Sequence, residues 1–389
     1  MPEPARVLLL FSDTGGGHRS AAEAIIEALQ QRHPARCRPV MVDVIKRYAP
    51  RPFNQLPEAY PHMVRAPHAW RLGFRITDGR QRARALTVAS WPYVRAAARR
   101  LAREQQADLV VSVHPLLVAP ILAAYRRPRP PFVTVVTDLV STHALWYHPE
   151  VDLCLLPTEA ARQRALRYGM PPEQLRVVGL PVGARFCAPP GDPQTLRSDL
   201  GWPLDRPMAL VVGGGEGMGP LYEIACALDA LGGRFGLAVI AGRNERLRRR
   251  LEAYTWQAPT FIYGFERRMP EMMRAATLLV TKAGPGTITE ALNAGLPMVL
   301  FSRLPGQEDG NVDYVVSRGA AQWAPGPRRA VRAVRHWLDH PQELLEAAAA
   351  CRRLARPEAA ADVADHIIAC LTPASPAGEA HPLAAHTPA

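Results

Sequence analysis

The feature that most limits what this chain can fold into is a rhythm. Short apolar runs alternate with stretches of helical spacing along nearly the whole length, the pattern of parallel sheets flanked by helices. The runs fall at Arg6–Phe11, Pro39–Val44, Leu109–Val113, Phe132–Val136, Val151–Leu156 and Arg176–Val178, then at Ala209–Val212, Leu237–Ile240, Thr260–Ile262, Leu278–Thr281 and Met298–Phe301. Segments such as Ser20–Gln31 and Pro285–Asn293 read as helices between them. The 389 residues suffice for two domains, each with its own core. With 48% hydrophobic and 21% charged residues, a disordered or fibrous chain is excluded.

The Pro- and Gly-rich stretch 183–207 is the candidate hinge. The expected division is a first α/β domain at 1–187, a linker at 188–206, a second α/β domain at 207–371, and an Ala/Pro/His-rich tail at 372–389 expected to be disordered. The longest apolar stretch, Leu109–Tyr125, is broken by His114, Pro115 and Pro120 and reads as a strand plus a helix rather than a membrane span. Val7–Phe11 is too short for a signal-peptide core and reads as the first strand. Any membrane contact is therefore expected to be peripheral. The six cysteines form no CxxC pair, so we expect reduced thiols of a cytosolic protein and no zinc site.

The net charge of +12 favours anionic partners. It is concentrated in Lys46–Arg103, which holds thirteen Lys and Arg against two acids, Glu58 and Asp78, with aromatics interleaved. Two readings stand. The segment is a docking surface for anionic lipid, using Arg65, Trp70, Arg71, Phe74, Arg75 and Trp91, or it is a solvated basic face around a local helical hairpin. Nucleic acid competes for such a patch, but no recognisable nucleic-acid module accompanies it, and none is expected as a partner.

Five motifs carry chemistry. Ser12-Asp13-Thr14-Gly15-Gly16-Gly17-His18-Arg19 joins a strand to a helix, where glycine amides and a helix start face a ligand. His18 at that mouth can take a proton from a hydroxyl. Gly213-Gly214-Gly215-Glu216-Gly217-Met218-Gly219 stands in the equivalent place of the second half, so two sheets present strand ends to one cleft. Thr281-Lys282-Ala283-Gly284-Pro285-Gly286-Thr287 with Glu290 suits a diphosphate and ribose, with Lys282 either neutralising phosphate or snorkelling at the surface. The Pro305–Asn311 loop, with its amides and carboxylates, suits a polyhydroxylated sugar or is merely polar. Asp138, ending a strand at the edge of the first motif, either orients His18 or acts as base itself. His143, Trp146, Tyr147 and His148 read as an aromatic cleft wall rather than metal ligands.

Together and in this order, SDTGGGHRSAAEAI, VVTDL with WYHP, GGGEGMGP, YGF, TKAGPGTITEAL and PGQEDGN resemble the monogalactosyldiacylglycerol synthases and bacterial processive diacylglycerol glucosyltransferases of glycosyltransferase family 28, over about residues 6–325. The resemblance implies a GT-B fold, two Rossmann-like domains facing a central cleft: the first for acceptor and membrane, the second for the nucleotide-sugar. A last helix, Pro357–Leu371, would cross back to the first. It implies inverting, metal-independent transfer of a hexose, galactose favoured or glucose, from UDP-hexose to 1,2-diacylglycerol, with no cofactor. Carried over by position, Gly264 and Phe265 receive uracil and Glu290 the ribose. Gly217, Gly284, Gly286 and Thr287 cradle the diphosphate, and Gln307, Glu308 and Asn311 hold the hexose. Gly16, Gly17 and His18 lie beside the acceptor, with His18 as base and Asp138 second for that role. The basic segment falls where the family docks on membrane and admits lipid. We expect a cytoplasmic protein, peripheral on the inner face of the cell membrane, and the sequence leaves its oligomeric state open. The nearest rival is N-acetylglucosamine transfer to a polyprenyl-diphosphate lipid, and a rival of another class is a non-catalytic nucleotide-sugar sensor or membrane-surface regulator.

Overall fold

The computed structural model describes residues 3–14, 16–64, 66–125, 127–189 and 191–371. Arg65 and the expected tail 372–389 lie outside the described residues. Six strands, β1 (Ala5–Phe11), β2 (Cys37–Asp43), β3 (Leu109–Ser112), β4 (Phe132–Val135), β5 (Leu153–Leu156) and β6 (Leu175–Val177), form one parallel sheet in the order β2-β1-β3-β4-β5-β6. Six more, β7 (Met208–Val212), β8 (Gly236–Ile240), β9 (Thr260–Tyr263), β10 (Leu278–Lys282), β11 (Met298–Ser302) and β12 (Ala321–Trp323), form a second in the order β12-β11-β10-β7-β8-β9.

The apolar runs become strands because both faces of each sheet are covered. Val7 to Leu10, Val110 and Val111, Leu210 and Val211, and Leu279 and Val280 are all fully buried. Helices that bear on the cleft are α1 (Gly17–Arg32), α2 (Pro67–Thr77), α3 (Arg80–Glu104), α4 (Pro115–Ala124), α5 (Pro285–Asn293), α6 (Asp309–Val316) and α7 (Ala359–Leu371). α7 crosses to the first sheet, where Val363, Ala364, Ile367 and Ile368 join the core of Val7, Leu9, Ile25 and Leu29. Asp365 fixes it there by accepting from Arg32 Nη2 at 2.7 Å and bonding His33 Nε2 at 2.7 Å.

Winding reverses once in each sheet, between β1 and β3 and again between β7 and β10. At such a point the loops leaving the two strands part to opposite faces and leave a crevice at the strands' C-terminal ends. The first two glycine motifs follow β1 and β7, so each lies at a crevice. The basic segment is the β2-to-β3 crossover. Where a single helical hairpin was one reading, it folds as four helices, including α2 and α3. Asp78 anchors the α2–α3 junction, accepting from Arg164, from Tyr168 Oη at 2.9 Å and from the Ala144 amide at 2.9 Å. Among the described residues no helix is long and apolar enough to cross a membrane.

Candidate active site

At the first crevice, α1 begins at Gly16, whose φ of 77° turns the chain sharply, with no side chain capping the helix start. Free amides there suit an anion or a polar acceptor. Asp13 braces the turn, accepting Arg19 Nε at 2.9 Å and Nη2 at 2.5 Å. The half-buried His18 bonds Thr137 Oγ1 through Nδ1 at 2.8 Å. Its ring lies 4.4 Å from that of His114 and 6.0 Å from Trp146. Burial holds the imidazole below its ordinary value against the opposing pulls of Asp138, a hydrogen bond to the Val113 backbone and Asp13, which favours the neutral ring. Asp138 is buried and committed: Oδ2 accepts from Trp146 Nε1 at 2.7 Å, and Oδ1 accepts from Gln307 Nε2 at 3.0 Å across the cleft.

At the second crevice, Lys282 joins both loops. Its Nζ lies 2.9 Å from Glu308 Oε1 and would stand 3.0 Å from a methyl placed on Gly284, at the uncapped start of α5. That puts an ammonium beside free helix amides, rather than out at the surface. Gly286 has open space around it, and Thr287 lies in the first turn of α5. Glu290 has no hydrogen-bond or ionic partner among the described residues, and burial pushes its carboxyl up to about 7. A half-buried acid without partners has lone pairs open to hydrogen-bond donors. Gly217 (φ 57°) lies against the Ala241 carbonyl, and the exposed Phe265 beside Gly264 carries the Arg243 guanidinium 4.2 Å over its ring. Arg243 in turn pairs with Glu216 at 2.9 Å.

The Pro305–Asn311 loop closes the cleft. Gln307 reaches Asp138, and the Gly310 amide donates to Ser141 Oγ at 3.0 Å. Glu308 is buried, and its oxygens serve Lys282 and the Leu304 amide; Asn311 is buried and donates to the Ala283 carbonyl at 3.0 Å. Of the three residues read as sugar contacts, Gln307 bonds across the cleft, Glu308 bears on Tyr60 of the first half, and the buried Asn311 Oδ1 has no partner among the described residues. Glu308 and Asn311 hold the loop from within.

The basic segment divides. Trp70 and Phe74 turn inward: Trp70 meets Tyr60 edge-on at 5.6 Å, and Phe74 meets His143 at 5.0 Å and lies against Gly306. Arg71 and Arg75 face outward with His68, Leu72, Ile76 and Arg82 along an open groove. Trp91 packs on the core of the first sheet instead. Sequence reasoning missed Leu72 and Ile76, 61% and 58% exposed, whose spacing of four on a basic helix was the available signal. It also missed Arg243, Thr137 and Ser141, and it took His114 only as a break in an apolar run. All four follow strand ends at the cleft edge, the signal that picked out Asp138. Among the described residues one group, His336, His340 and Glu343, brings three ligand atoms within 4.8 Å of one another; it is exposed and belongs to neither crevice.

Two doubly wound parallel sheets that present their crevices to one cleft define the GT-B fold. Solved structures of the same architecture include Acinetobacter baumannii MurG (TM-score 0.60, 18% identity, 94% of this chain and 99% of that one) and an S. aureus MnaA–UDP complex (TM-score 0.63, 14% identity, 93% and 96%). A family profile described as monogalactosyldiacylglycerol (MGDG) synthase matches residues 18–182, and the glycosyltransferase family 28 C-terminal domain matches residues 208–363. Relatives include a probable monogalactosyldiacylglycerol synthase 2, chloroplastic, of Oryza sativa subsp. indica, 39% identical over 93% of this chain and 80% of the relative. Another is monogalactosyldiacylglycerol synthase 2, chloroplastic, of Arabidopsis thaliana, 37% identical with the same coverage. The chain belongs to the monogalactosyldiacylglycerol synthase family. These relatives are chloroplastic proteins, which overturns the expected cytoplasmic placement on the inner face of a cell membrane.

Proposed function

We propose that this chain transfers galactose from UDP-galactose to the free hydroxyl of diacylglycerol at a membrane surface. The observation that carries this is the pairing of the two crevices: a neutral imidazole at one, and a lysine, free helix amides and an unpartnered acid at the other, joined by Asp138 and Gln307. The relatives' names supply the hexose and the lipid.

In this reading uracil lies by Gly264 and Phe265, with Arg243 beside it. Glu290 accepts from the ribose hydroxyls. Gly217, Gly284, Gly286, Thr287 and Lys282 surround the diphosphate, and Gln307 contacts the hexose. His18 takes the proton of the lipid hydroxyl as that oxygen attacks the anomeric carbon opposite the departing UDP. The charge that grows on UDP meets fixed amides and an ammonium already in place, so it is stabilised without rearrangement. Asp138 holds Trp146 and Gln307 rather than a proton. Membrane contact falls on the outer face of α2 and the start of α3, where Leu72 and Ile76 are exposed beside Arg71, Arg75 and Arg82, apolar groups for the acyl region and guanidinium groups for anionic headgroups.

The test incubates the protein with vesicles of diacylglycerol and anionic lipid, with UDP-galactose or UDP-glucose, with and without EDTA. Galactolipid formed in EDTA is expected. Product only with added metal, only with UDP-glucose, or only from UDP-N-acetylglucosamine on a polyprenyl-diphosphate lipid would overturn the reading in that respect.

A further inference from the structure

We propose that His114 is a positioning residue for the transfer, fixing the glycine turn and the ring of His18 from the opposite wall of the first crevice. The proposal rests on His18 being the base in the reaction above. β1 and β3 are the neighbours between which the winding reverses, so the loops after them form the two walls of that crevice. His18 stands on one wall and His114, two residues beyond β3, on the other, their ring centroids 4.4 Å apart and tilted by 56°.

The proton on His114 can be assigned from its neighbours. Nδ1 accepts from the Leu116 amide at 3.3 Å and so caps α4. That nitrogen carries no proton, and in a neutral imidazole the proton then lies on Nε2. Nε2 therefore donates to Thr14 Oγ1, 2.9 Å away on the glycine turn that leads to His18. Ser112, the last residue of β3, clamps the His114 backbone from below: its Oγ donates to the His114 carbonyl at 3.1 Å. A rigid strand end thus reaches the turn through one fully buried ring, and the turn carries the base. Trp146 lies 6.0 Å from the His18 ring and Thr137 holds its Nδ1, so His114 is one of three side chains around that ring. Protonating His114 would cost the α4 cap, and burial together with the nearby His18 holds it well below the ordinary value. It is a spacer that stays neutral while its neighbour takes up a proton.

A helix cap alone would explain the Leu116 bond but not the Thr14 bond, and substitution separates the two. Asparagine is a good N-cap but too short to reach Thr14. Glutamine can still present an N–H toward it. For H114N we expect a melting temperature within a few degrees of wild type, an unchanged KM for UDP-galactose, and kcat about ten- to a hundredfold lower, as for a small misplacement of a reacting group. H114Q should recover part of that loss. The charged groups that act on His18 are Asp138 and Asp13, with the Val113 backbone and the neutral His114 ring beside them. With the smaller asparagine, water reaches the ring, its pKa rises, and a base that must be neutral needs a higher pH. The acid limb of kcat/KM should therefore move up by about one unit in H114N. Unchanged kcat and pH profile in H114N would overturn the role, as would a loss of kcat matched by an equal rise in KM or a collapse of stability. No glycolipid from the wild-type protein with either UDP-hexose would sink the reaction itself and this role with it, whereas an active wild type beside an unaffected H114N sinks this role alone.

Discussion

The turns that follow β1 and β7 stand at the same place in two sheets of the same kind, and both are rich in glycine. In the first, a methyl group added at Gly17 would meet nothing within 4 Å. In the second, a methyl at Gly217 would lie 2.1 Å from the Ala241 carbonyl oxygen, on a residue already at φ 57°. The first turn uses glycine to leave room, and the second uses it to let two backbones touch. The first is held by side chains at a distance: Asp13 with Arg19, and Thr14 with His114. The second is held by main chain against main chain, reinforced by Arg243, which pairs with Glu216 of the turn. A turn built on open space suits a varied acceptor, and a turn packed solid suits a donor with one fixed diphosphate.

Replacing residues in each turn tests this contrast. The largest effect is expected from His18→Ala in the open turn, which should lower kcat by about a hundredfold to ten-thousandfold while UDP affinity, measured by calorimetry, stays as in wild type. Parallel loss of UDP binding would mean the two turns do not divide the work. Next comes the Lys282–Glu308 pair, a half-buried ammonium on a buried carboxylate. Lys282→Met strands the Glu308 carboxylate and should cost about 3 kcal/mol in denaturant unfolding, while the double change with Glu308→Gln restores stability but not turnover. Gly217→Ala should cost about 1–3 kcal/mol and weaken UDP binding; Gly17→Ala should stay within about 0.5 kcal/mol of wild type.

The remaining prediction concerns Glu290. Its folded carboxyl titrates near 7 against 4.5 unfolded, so between those values the native state binds the extra proton and stability falls as pH rises. Unliganded wild type should lose about 1–3 kcal/mol across that window, while Glu290→Gln stays flat. UDP binding should tighten with pH in the wild type only. A flat wild-type profile would remove Glu290 from the ribose.

Much of the fold was legible in the sequence because parallel strands buried on both faces must be apolar throughout. Runs such as Val110-Val111 and Leu278-Leu279 therefore mark themselves. β12 was not read: it is three residues long, pairs with one neighbour, and has no apolar run. The glycine motifs located both crevices, since the loop after each parallel strand must emerge at the same edge of the sheet. Which side chains meet there was not legible. Gln307 and Asp138 are 169 positions apart, and the bonds of Glu308 to Lys282 and the Leu304 amide follow from the fold rather than from the motif. In the basic segment, composition announced an interface, but only the fold of α2 separates Phe74, turned inward, from Leu72 and Ile76, turned out.

The return of α7 to the first sheet has a consequence for how the molecule is made. Four of its apolar side chains complete a core whose other members lie among residues 7–178. On the ribosome, the first sheet is synthesised long before that helix, and the entire second sheet comes between them. The first half must wait with one flank uncovered, while the second half, whose strands and helices lie close together in the chain, can fold as it emerges. The order of folding then runs against the order of translation. The half that carries the proposed base is complete only once α7 has joined its core.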